Sequence, residues 1–161
     1  VCVHGRDAAA RADMALASLF GGIALANSGL GAVHGFAAVI GGSFGAPHGA
    51  VCARLLAPVC RANVSALGTR GGGDKVVLAR YDEAARILTG RPDATADDLV
   101  AWLEALAAEL GVPPLSAHDM TEADIPKVVR KSTQASSMKA NPIALRPDEM
   151  TAVLHEALGT A

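Results

Sequence analysis

Two histidines carry the chemistry that this sequence suggests most strongly. His34 and His48 lie in a stretch, Met14 to Ala53, that contains no Asp, Glu, Lys or Arg. Each is flanked by glycine, in Val33-His34-Gly35 and Pro47-His48-Gly49. Neutral imidazole is a common ligand for iron and zinc, and an apolar surround strengthens a metal's electrostatic effect. A helix from His34 to Gly42 would rise about 12 Å, and the five residues Ser43 to Pro47 span up to roughly 17 Å. The connection is long enough to return His48 to His34, but the spacing does not compel it. A lone histidine on an apolar helix is more often a hydrogen-bonded core residue. On the residues alone, both readings stand.

Other candidates are weaker. Cys52 and Cys60 are eight residues apart on what reads as one helix, about 12 Å along its axis, too far for a disulfide. With Cys2 they read as buried thiols in a reducing compartment, and no CxxC pair exists. Gly71-Gly72-Gly73 is followed by Asp74, whose charge opposes phosphate, so it reads as a surface loop. His118 and His155 sit in polar contexts and read as solvated.

The elements that must position the histidine pair are helical. A first helix is predicted from near Asp7 to about Ala26, with Met14, Leu16, Leu19, Phe20 and Ile23 inward; Asn27-Ser28-Gly29 ends it. A second, near Gly31 to Ile40, carries His34 and stops at Gly41-Gly42. A third begins at Pro47-His48 and passes Pro58; Gly68 to Asp74 then reads as a mobile loop. Amphipathic helices follow from Lys75 to Thr89 and after Thr95 as N-cap, the latter closed by Gly111 and Pro113-Pro114. Thr121 to Asp124 resembles a capping box, and Pro147 opens a last helix that ends at Gly159. The chain therefore reads as all-α, one domain of roughly seven helices over residues 1–161.

Composition narrows the function classes. A net charge of −2 and the lack of a basic stripe argue against nucleic acid. Only 3% of residues are aromatic while 51% are hydrophobic, so small aliphatic side chains must fill a core of closely packed helices. The uncharged stretch is long enough to span a bilayer, but Gly21-Gly22, Asn27-Ser28-Gly29, Gly41-Gly42 and Pro47-His48 interrupt it, and no basic flanks frame it. Val1 to Asp7 offers no apolar stretch of the signal-peptide kind. Helices buried in a soluble, cytoplasmic protein are expected, with no membrane partner.

The run Ala26-Asn27-Ser28-Gly29-Leu30-Gly31-Ala32-Val33-His34-Gly35-Phe36-Ala37, followed by Gly41-Gly42-Ser43-Phe44-Gly45-Ala46-Pro47-His48-Gly49, resembles the signature of the iron-containing (group III) alcohol dehydrogenases. The likeness continues in Leu55-Leu56-Ala57-Pro58-Val59, Arg61-Ala62-Asn63, Leu110-Gly111-Val112-Pro113 and Met138-Lys139-Ala140-Asn141-Pro142. The resemblance implies the all-helical C-terminal domain of the dehydroquinate synthase-like and iron-containing alcohol dehydrogenases. It also implies a parent protein that binds NAD or NADP in a separate N-terminal domain, which residues 1–161 lack. One divalent metal, iron or zinc, would be held by an Asp-x-x-x-His pair upstream and by His34 and His48. The metal would polarise a small-molecule alcohol or aldehyde during hydride transfer.

Two departures qualify that implication. No Asp-x-x-x-His precedes His34, so only two ligands are expected here, with weak metal binding, no nucleotide and no turnover by residues 1–161 alone. Many relatives carry a further histidine four residues after the first, near the substrate; here that position is Ala38. Metal-free relatives of the maleylacetate reductase type, and a helical piece without catalysis of its own, are the alternatives. Homo-oligomerisation is left open.

Overall fold

A computed structural model describes residues 3–70 and 75–159; Cys2 and residues 71–74 lie outside the described residues. The described residues form seven α-helices and three short 3₁₀ turns, with no strand.

The first helix, α1 (Ala8–Ser28), is capped by Asp7, whose Oδ1 accepts from the Ala9 and Ala10 N–H groups at 2.9 and 3.1 Å. Gly29, at a positive φ of 76°, ends it. The helix forms where the sequence predicts, ending two residues later, but it does not enter the core. Met14, Leu16, Leu19, Phe20 and Ile23 are all at least half exposed, and no residue of α1 is buried. The expectation that the whole uncharged stretch packs into a core is corrected here. Its apolar side chains could line a core, but none of the other described helices covers them.

Burial begins with α2 (Ala32–Phe44), where Ala32, Phe36, Ala37 and Ile40 are fully enclosed. The predicted stop at Gly41-Gly42 is absent. Glycine in a helix costs about 1 kcal/mol relative to alanine, and burial of a side chain such as Ile40 or Phe36 contributes about 1.5–3 kcal/mol. Packing therefore carries the helix through both glycines to Gly45, which caps it in the left-handed conformation and donates to the Gly41 carbonyl at 3.0 Å.

Helix α3 (His48–Arg70) is the spine of the fold, and it runs through Pro58 and through Gly68 to Arg70, where a loop was expected. Two arginines fix it against α7 (Pro147–Leu158). Near one end Arg54 donates to the Ala157 and Glu156 carbonyls at 2.8 and 3.1 Å, satisfying the C-terminus of α7. At the other end Arg70 donates through Nε and a terminal nitrogen to both oxygens of Glu149, at 3.0 and 2.6 Å. The start of α3 thus meets the end of α7, so the two helices are antiparallel.

The main core collects Phe36, Ile40, Val51, Leu55, Leu115 and Leu154 with neighbours from α6 (Ile125–Ser132). A smaller cluster joins α4 (Lys75–Thr89) to α5 (Ala96–Glu109) through Ala85, Ala94 and Leu99. Leu88 and Leu110 are 42% and 49% exposed, because this helix pair is covered on one side only.

By length and composition α1 and α3 would suffice to cross a membrane. Helix α3 is a core helix of this fold.

Candidate metal centre

His34 occupies the first turn of α2, and His48 is the first residue of α3. The chain between these helices is only Gly45, Ala46 and Pro47. Gly41, about two helical turns beyond His34, lies against the returning chain, where a Cβ would make an ordinary contact with the Ala46 carbonyl oxygen at 3.5 Å. The three-residue connection delivers His48 beside His34. The two rings lie 5.4 Å apart between centroids, tilted by 50°. Spacing permitted this approach, and the short turn from α2 to α3 accomplishes it.

The start of α2 is held from a distance. Asn141 Oδ1 accepts from the Ala32 N–H at 3.0 Å, doing the work of a side-chain cap that Gly31 cannot supply. The Asn141 amide nitrogen donates to Asn63 Oδ1 and to the Ile143 carbonyl, both at 2.7 Å. Asn63, buried on α3, donates in turn to the Tyr81 hydroxyl at 3.2 Å. These residues position α2, and through it His34.

Cys52 was read from sequence as an inert thiol, and the structure gives it different company. It lies one turn after His48 on α3, and its Sγ is 3.4 Å from His48 Nε2. The donor atoms of His34, His48 and Cys52 all lie within 4.8 Å of one another. The available signal was the His48-x-x-x-Cys52 spacing, which places both side chains on one helical face. Cys60, by contrast, sits deeper, and burial pushes its thiol up to about 11.

Electrostatics favour a neutral donor set. Burial, and secondly the neighbouring His48, lower the pKa of His34 and so favour its neutral form. Burial raises the Cys52 thiol. Beside the donors opens an apolar pocket of about 480 Å³, lined among others by Leu30, Val33, His34, Cys52, Leu56 and Asn141.

Of the other histidines, His155 is exposed and stands 3.8 Å from Glu122. His118 is half-buried, and its Nε2 is enclosed without a hydrogen-bond partner, so the expectation of full solvation is corrected. The short 3₁₀ turn Leu115–His118, anchored by buried Leu115, draws it inward.

The comparisons with known proteins agree with this architecture. The description "Fe-containing alcohol dehydrogenase family, C-terminal" matches residues 1–158. The chain belongs to the Fe-containing alcohol dehydrogenase family. Alcohol dehydrogenase 4 of Schizosaccharomyces pombe is 32% identical over 156 residues, covering 96% of this chain and 35% of the relative. The 1,3-propanediol dehydrogenase of Klebsiella pneumoniae is 30% identical over 154 residues, 95% of this chain and 38% of the relative. A crystal structure of 1,3-propanediol oxidoreductase superposes with a TM-score of 0.82 at 27% identity, over 95% of this chain and 39% of that one. The chain thus spans little more than a third of the length of these Fe-containing alcohol dehydrogenases.

Proposed function

We propose that residues 1–161 are the metal-binding, C-terminal helical part of an NAD(P)-dependent alcohol dehydrogenase or aldehyde reductase. The observation that carries this reading is the approach of His34 and His48, whose rings are 5.4 Å apart, with His34 lining an apolar pocket. Two imidazoles at that separation fit a divalent cation, iron or zinc, and the lowered pKa of His34 keeps its lone pair available. A metal bound there supplies Lewis acidity toward an alcohol or carbonyl oxygen. The chain's own contribution is placement. Asn141 and Asn63 fix α2, the three-residue turn into α3 sets His48 beside His34, and Leu30, Val33 and Leu56 offer an apolar wall suited to a small alcohol or aldehyde.

Nicotinamide binding and the remaining ligands belong, on this reading, to sequence upstream of the histidine segment. The reading also places the protein in the cytoplasm, where free thiols such as Cys52 and Cys60 persist.

The test joins this chain to an upstream half that carries a nucleotide domain and an Asp-x-x-x-His pair. The joined protein is expected to oxidise alcohols or reduce aldehydes with NAD(H) or NADP(H), whereas residues 1–161 alone give no turnover. His48→Ala in the joined protein should remove metal and activity together. Loss of metal with full activity retained would replace this mechanism by a metal-free reductase one.

A further inference from the structure

The proposed function counts two donors in this chain, and the geometry offers a third. We propose that His34, His48 and Cys52 form a three-donor set, all within residues 1–161, for a divalent cation of the zinc or cobalt kind. The inference rests on the reading of the histidine pair as metal ligands and adds the Cys52 thiolate to it.

Distances support the set. A sulfur and a nitrogen bound to one tetrahedral zinc, at about 2.3 and 2.0–2.1 Å, stand about 3.5 Å apart. Cys52 Sγ and His48 Nε2 are already 3.4 Å apart. Two imidazole nitrogens on such a metal stand about 3.3 Å apart, and no pair of the three donor atoms is separated by more than 4.8 Å. His48 and Cys52 ride on the first turns of a single helix, and side-chain rotation is the motion that brings the three donors from within 4.8 Å toward a shared ion.

Chemistry supports it too. Thiolate and imidazole together select zinc and its neighbours over the hard cations that carboxylates and water prefer. Binding breaks the Cys52 S–H bond, forms a sulfur–metal bond and releases one proton to solvent. Two neutral imidazoles and one thiolate leave a divalent ion with a net charge of about +1 and an open fourth position for water or a small oxygen ligand. Cys60 cannot share the ion, since it lies two helical turns further along α3, about 12 Å from Cys52.

The probe is cobalt(II), added anaerobically to the 161-residue chain after chelator treatment and reduction. Cys2→Ser and Cys60→Ser together leave Cys52 as the single thiol. This variant should bind one equivalent and develop the thiolate-to-cobalt charge-transfer band in the near ultraviolet. Adding Cys52→Ser, or Cys52→Ala in a parallel variant, should abolish the band and weaken binding by roughly tenfold or more. Circular dichroism checks that both variants remain folded. Zinc-loaded wild type should show one sulfur neighbour at about 2.3 Å by X-ray absorption. Cobalt that binds through His34 and His48 with no thiolate band would overturn the role of Cys52 and leave the histidine pair intact. No stoichiometric binding at all would overturn the three-donor site. The proposed function is judged separately, by loss of metal from the joined protein on His48→Ala.

Discussion

Asn63 and Asn141, 78 residues apart, grip each other through their side-chain amides. Asn141 donates to Asn63 Oδ1 at 2.7 Å, and Asn63 donates back to Asn141 Oδ1 at 3.3 Å. The same Asn141 oxygen caps the first turn of α2, two residues before His34. A turn late in the chain and the middle of α3 are thereby tied to the backbone that carries a proposed ligand.

Asn141→Ala should therefore do more than remove a surface amide. It leaves the Ala32 N–H and the buried Asn63 amide without their partner, a loss of about 1–3 kcal/mol. Urea unfolding should show that loss, and cobalt affinity should fall with it. Asn141→Asp keeps the acceptor for Ala32 and should recover part of both.

Gly35 and Met138 make a tight helix-to-turn contact. A Cβ on Gly35 would stand 2.8–2.9 Å from the Met138 Cε, Sδ and Cγ atoms. Gly35→Ala should destabilise the domain by about 1–3 kcal/mol through overpacking, less the helical gain of alanine. In a Met138→Ala background the same substitution should cost less. A double-mutant cycle by urea denaturation should give a coupling of at least about 0.5 kcal/mol; additive effects would show that Met138 relaxes freely.

Acid stability should depend on two capping aspartates. Asp98 accepts from the Thr95 N–H and hydroxyl at 2.8 and 3.0 Å, and Asp124 accepts from the same groups of Thr121 at 3.0 and 2.7 Å. Those hydrogen bonds to Thr95 and Thr121 lower both carboxyl pKa values below the ordinary 3.8. As pH falls, the unfolded chain takes up protons first, so the stabilisation is complete above 3.8 and is lost as pH drops through the folded values. The urea midpoint should fall on acidification in that window, and Asp98→Asn with Asp124→Asn should flatten the fall while lowering stability at neutral pH.

Helix α1 should be energetically separate from the rest. It buries no side chain, and Phe20 is 59% exposed. Phe20→Ser should change the unfolding free energy of the α2–α7 core by no more than about 0.5 kcal/mol. Amide exchange should be faster in α1 than in α3. A large loss of stability on this substitution would show that α1 packs against the core in solution.

Much of the architecture was legible in local patterns of residues. Helix type followed from apolar periodicity and from strong local signals: Asp7, Thr95 and Pro147 start helices where they were expected to, and Gly29 and Gly159 end them. The histidine signature marked His34 and His48, and the family followed from the residues around them. Other features emerged on folding, because the forces behind them act between residues distant in sequence. Burial of Ile40 and its neighbours overrode the stop signal of Gly41-Gly42, and that extension left three residues to return the chain. The apolar face of α1 looked like core, yet exposure depends on what packs against a helix, which its own sequence does not encode. Cys52 reads as an ordinary apolar-helix thiol until the fold sets it beside His48, and His34 arrives from another helix. Asn141 became a cap for α2 only through a contact spanning 109 residues, where no local pattern reaches.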